Sequence, residues 1–141
     1  MRKAEQRLWD LIRPKLSAAH IMSRRVENVV DEGFPDVLLV PRGAPMAVAE
    51  LKARPVAPVR HTSLALGEAY GLRQSQKNWW LEFTQQLGHG IIIAKVGAIV
   101  YGFDAIRAQS INAMSFEEFC DTADAMGVSE LIQLIYGRAP R

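Results

Sequence analysis

Gly33-Phe34-Pro35-Asp36 and, fourteen positions after that aspartate, Glu50-Leu51-Lys52 decide how this chain reads. The first string opens the apolar run Val37-Leu38-Leu39-Val40, and the second closes Met46-Ala47-Val48-Ala49. Both runs (36–40 and 46–52) are apolar on both faces, as central strands covered by helices are. Between them Pro41-Arg42-Gly43-Ala44-Pro45 supplies a tight turn. Antiparallel pairing across that turn brings Asp36 and Glu50 to the same end of a sheet. Alternation along the strand then puts Glu50 and Lys52 on one face. Two carboxylates and a lysine converging there make a site for a hard divalent cation and an activated water.

Outward from this hairpin the pattern is mixed. Residues 3–16 carry Ala4, Leu8, Leu11, Ile12 and Leu16 at helical spacing, with Pro14 expected to kink or shorten the last turn. Residues 21–30 read as a first strand. Residues 53–62, with two prolines and no periodicity, read as a mobile loop, and 63–71 as a short helix. The segment 75–87 reads as a clear helix, with Ser75 as its cap, Gln76, Trp80, Phe83 and Leu87 on one stripe, and Gly88 as its stop. Residues 91–95 and 98–103 read as strands around Val96-Gly97. Ser115 and Glu118 form a capping box that opens a helix through Ala125, and a last helix spans 129–136. The expected fold is therefore α/β: one domain over 1–141, a mixed central sheet flanked by helices, with C-terminal helices over 115–136.

The ordered strings resemble a known family. Pro35-Asp36, a hairpin, and Glu50-Leu51-Lys52 match the signature of the PD-(D/E)XK nuclease superfamily. The longer series of Arg25-Val26-Glu27-Asn28, Gly33-Phe34-Pro35-Asp36, Glu50-Leu51-Lys52, and Gln76 followed by Trp79 and Trp80 is similar to its virus-type replication-repair nuclease (VRR-NUC) branch. That branch includes small stand-alone phage and bacterial nucleases related to Holliday-junction resolvases. The resemblance covers about residues 1–104 and implies a restriction-endonuclease-like core and a metal-dependent DNA endonuclease. In it, Asp36, Glu50 and the backbone carbonyl of Leu51 hold Mg²⁺ or Mn²⁺, and Gln76 lies against metal-site waters or the scissile phosphate. It also implies a further carboxylate, for which Glu5 in the first helix and Glu27 before the Gly-x-Pro-Asp string are both candidates.

On chemistry alone, Lys52 suits holding the attacking water and neutralising charge on the phosphoryl oxygens. Arg24, Arg25, Arg42, Arg54, Arg60 and Arg73 are candidate phosphate contacts, none standing out. Each residue also has an ordinary reading: Asp36 as a turn cap, Glu50 and Lys52 as strand-end charges, Gln76 at the border of a packed face, and Trp79 and Trp80 as core. Their combination favours the site.

Composition narrows the rest. The chain has 141 residues, a formal net charge of +2 and one cysteine, Cys120. A single cysteine excludes an internal disulfide framework and suits a reducing compartment. His20, His61 and His89 have no zinc-ligand spacing. No apolar run approaches the roughly 20 residues of a membrane span, and a cytoplasmic protein of a bacterial or phage-infected cell is expected. Residues 1–80 carry 13 Lys/Arg against 8 Asp/Glu, whereas 81–141 carry 4 against 7. The basic half holds the motifs, which points to DNA as partner. If the substrate is a symmetric junction, two active sites and hence a homodimer are needed. Two alternatives stay open: a sequence-specific or homing-type endonuclease of the same fold, and a non-catalytic nucleic-acid-binding module.

Overall fold

The computed structural model describes residues 3–26 and 33–138. Its centre is a six-stranded sheet in the order β1-β2-β3-β4-β5-β6, comprising Ile21–Arg25, Val37–Pro41, Ala47–Arg54, Gly90–Val96, Ile99–Asp104 and Ala125–Met126. Every neighbouring pair is antiparallel except β3 with β4. The expected mixed sheet flanked by helices is what the chain forms. A parallel neighbour cannot be reached by a hairpin, so residues 55–89 must cross over the sheet. That crossover carries helices α2 (Gly67–Tyr70) and α3 (Gln74–Gln85) onto the face that bears Glu50 and Lys52.

The other face is covered by α1 (Lys3–Ala18) and α5 (Val128–Ile135). Leu8, Ile12 and Leu16 recur on one side of α1 and pack with Ala49, Leu51, Ile93 and Ile135. On the crossover side Trp80, Ile92, Ala94, Phe103 and Phe119 form a second core, to which α4 (Phe116–Thr122) contributes. Central strands β3 and β4 are therefore buried on both faces, as the apolar runs Ala47-Val48-Ala49 and Ile91-Ile92-Ile93-Ala94 required.

Several boundaries differ from expectation for identifiable reasons. Helix α1 runs through Pro14 to Ala18, because buried Leu16 and a 2.6 Å bond from the Tyr136 hydroxyl to the Ala19 carbonyl fix its last turn. Helix α3 starts at Gln74 with Arg73, not Ser75, at its cap. It ends before Leu87, which takes a left-handed φ of 59° and is 91% exposed rather than lying on the apolar stripe. The helix opened by Ser115 stops at Thr122 instead of reaching Ala125, since Ala125-Met126 pairs with Tyr101-Gly102 as β6. Two short 3₁₀ turns over 105–113 have no counterpart in the sequence pattern. The first strand is described as Ile21–Arg25, and residues 27–30 of the expected strand lie outside the described residues. Among the described residues no helix is long and apolar enough to cross a membrane.

Candidate active site

The β2–β3 ladder is in register from Leu39↔Ala47 to Val37↔Ala49, so Asp36 follows opposite Glu50 at its open end. There the strands part. The Asp36 amide still donates to the Ala49 carbonyl at 3.0 Å, but the Leu51 amide donates to the Asp36 carboxylate (Oδ2) at 2.8 Å instead of to a strand. In an extended strand a residue's N–H and C=O point to the same side. The Leu51 carbonyl therefore faces the gap beside Asp36, where the resemblance needs it.

Glu50 is fully buried, and neither of its carboxylate oxygens has a hydrogen-bond partner. Burial pushes its pKa well above the ordinary glutamate range. The adjacent Asp36 carboxyl adds to the rise, while the Lys52 ammonium and the Trp80 indole oppose it. The indole nitrogen is itself buried and unpartnered. It biases Glu50 toward ionisation by proximity without closing a hydrogen bond of full geometry.

Lys52 is 8% exposed, and its ammonium donates to Gln76 Oε1 at 3.0 Å. Gln76 is itself 4% exposed, and its Oε1 also accepts the Arg73 backbone N–H at 2.9 Å. One glutamine oxygen thus satisfies an orphan donor of the helix start and anchors the lysine. Glu5, at the beginning of α1, reaches the lysine from the other side, with Oε1 4.0 Å from Nζ. Glu27 lies outside the described residues.

The Gly33-Phe34-Pro35-Asp36 string is docked on α3. Gly33 has a φ of +89°, and a Cβ there would fall 2.3 Å from the Ser75 carbonyl oxygen. Only glycine combines that backbone with that approach. Phe34 meets the edge of Trp79 with ring centroids 5.3 Å apart. Trp79 in turn lies against Trp80 and Phe83, and Trp80 is fully buried, as its core reading required. The aromatic pair therefore does more than fill the core: Trp79 seats the loop that carries Asp36, and Trp80 borders Glu50. Neither role had a signal in the sequence beyond the pair itself.

The fold thus brings Asp36, Glu50, Leu51, Lys52, Gln76 and Glu5 together. The arginines scatter. Arg24 is exposed on β1, paired in register with Leu38 on the site's face, and Arg73 is exposed at the start of α3 beside Gln76. Arg25 lies over Trp9 on the opposite face, 5.8 Å from the ring centroid. Arg42 stands at the far tip of the hairpin, and Arg60 is exposed in the crossover. Arg54 is committed to the crossover loop, donating to the carbonyls of Val56, Leu64 and Ala65 and lying over Tyr70.

Among the described residues no three His, Cys, Asp or Glu side chains cluster tightly enough to hold a metal alone. The donor set nevertheless fits a hard divalent cation: two adjacent carboxylates, one with both oxygens unsatisfied, and a carbonyl beside them. Mg²⁺ commonly takes only one or two carboxylates and completes its shell with water and phosphate oxygens.

No protein-family model matches the chain, and no curated protein sequence matches it. Among solved structures, the fold is similar to that of Hjc from Archaeoglobus fulgidus, a Holliday junction resolvase from an archaeal hyperthermophile. The similarity has a TM-score of 0.47 and 18% identity, over 69% of this chain and 73% of that one. At that level nothing about this chain's activity follows from the likeness.

Proposed function

We propose that the chain is a metal-dependent nuclease that hydrolyses DNA phosphodiesters, a member of the PD-(D/E)XK superfamily close to its VRR-NUC branch. The observation that carries the reading is the Glu50 carboxylate, fully buried against Asp36 with neither oxygen satisfied. Such an arrangement is costly unless a cation completes it. Asp36, Glu50 and the Leu51 carbonyl would hold Mg²⁺ or Mn²⁺. When bound, the ion acidifies a water and stabilises the leaving oxygen.

The remaining work falls to side chains. Lys52 sets a positive charge where negative charge grows on the phosphoryl oxygens and holds the attacking water. Gln76 fixes the lysine's ammonium and so its aim. Glu5 balances that ammonium, and Arg24 and Arg73, both exposed beside the site, take phosphates of the bound strand. A branched four-way junction is the substrate that the sequence resemblance favours, cut by a homodimer that presents two sites.

The test is cleavage of labelled linear, flapped and four-way DNA by purified protein with Mg²⁺. The four-way junction should be preferred by about tenfold or more in kcat/KM, and EDTA should stop all cutting. Cutting that depends on sequence and ignores branching would replace this reading with a sequence-specific endonuclease. Binding without cutting in Mg²⁺ or Mn²⁺ would leave a non-catalytic module.

A further inference from the structure

A groove of about 680 Å³, open to solvent, lies at β1, the edge strand of the sheet among the described residues, away from the carboxylate pair. Arg13 and Ser17 border it from α1, four residues apart and so on one side of the helix. His20 enters from the turn, Arg24 from β1 itself and Arg42 from the β2–β3 hairpin, whose amide donates to the His20 carbonyl at 3.1 Å. Among the described residues no carboxylate lines the groove. Among the described residues neither Arg13 nor Arg42 has an ion-pair partner, and both are exposed.

Charges on an edge strand commonly serve only to block pairing with another sheet. Here, however, two of the three arginines come from other elements and converge on the same concavity. Arg24 continues the line toward Asp36, because it pairs with Leu38, two residues beyond that carboxylate and on its face of the sheet.

We infer that this groove is a second phosphate track, holding the sugar–phosphate backbone of a duplex arm that leaves the active site. The inference rests on the nucleic-acid reading above and extends it to a surface that the motifs do not touch. Asp36 to Arg42 is six residues, roughly 20 Å at about 3.3 Å per residue along β2. That span equals about six base pairs at 3.4 Å each. Arg13 and Arg42 should therefore matter only for arms long enough to reach them.

The experiment is fluorescence polarisation without divalent cation, using tetraloop-capped hairpin duplexes of about 5 and about 24 base pairs, the shorter too short to span from Asp36 to Arg42, at several salt concentrations. Wild type should bind the long duplex more tightly. The double variant Arg13→Ala, Arg42→Ala should lose that advantage, with the slope of log affinity against log salt falling by about two. Unchanged affinity and slope would overturn the inference. So would an equal loss on both lengths, which would place the contacts at the active site, or self-association with an unchanged slope, which would make the arginines edge guards. Length-dependent binding by a protein that never cuts would support the track and refute the nuclease.

Discussion

Lys52 Nζ and Gln76 Oε1 lie 3.0 Å apart, and the same oxygen accepts the Arg73 amide at 2.9 Å. The lysine on the sheet and the first turn of α3 are thereby joined through one atom. A shift of α3 would move the ammonium.

Removing that link should act on turnover more than on binding. Gln76→Ala is expected to lower the single-turnover cleavage rate by about 10- to 100-fold while DNA affinity changes within about threefold. Gln76→Glu keeps the acceptor and should retain more activity than the alanine variant. Rate and affinity falling in parallel would make Gln76 an ordinary substrate contact.

The sheet centre and the site hairpin were legible because β2 and β3 are short apolar runs closed by charged residues at fixed spacing. The burial of Gln76 was legible because a polar residue stands on an apolar stripe. The sixth strand was not: two residues, Ala125-Met126, have no period, and their pairing depends on β5 being already in place. The cap of α3 is hidden in the sequence because arginine is not a capping residue type, and the helix start is served by Gln76 three residues later. The meeting of Glu5 with Lys52 joins residues 47 positions apart, which no local pattern encodes.

Gly33→Ala should damage both fold and site. The added Cβ would meet the Ser75 carbonyl oxygen at 2.3 Å, in a left-handed backbone that alanine disfavours. A loss of about 2–4 kcal/mol in denaturant unfolding is expected. An unaffected unfolding midpoint would show that this loop is not seated on α3.

Glu50 makes stability depend on pH. Its folded pKa lies above the value near 4.3 of an unfolded glutamate. Between those two values the folded state binds more protons, so its contribution is fully present below the unfolded pKa and is lost as pH rises through the folded one. Metal-free protein should therefore melt at lower temperature at pH 8 than at pH 5.5. Glu50→Gln should flatten that trend and be more stable than wild type at pH 8, by about 1–3 kcal/mol. A steeper decline in the variant would contradict the assignment.

Glu5→Gln separates two roles for one carboxylate. Because Glu5 pairs with Lys52 and, among the described residues, forms no three-carboxylate cluster with Asp36 and Glu50, the rate should fall within about tenfold, with little change in the Mg²⁺ concentration giving half-maximal activity. A strong shift of that midpoint would make Glu5 part of the metal site instead.

The most direct measurement is cleavage of a labelled four-way DNA by wild type, Asp36→Asn and Glu50→Gln across a Mg²⁺ titration, with circular dichroism of each protein. Wild type should cut only with the divalent ion. Both variants should be folded and at least about 10³-fold slower at every Mg²⁺ concentration, since each removes a ligand from the one place where charge is stabilised. Full wild-type activity in excess EDTA, or a folded Glu50→Gln protein that cuts at the wild-type rate, would contradict the account.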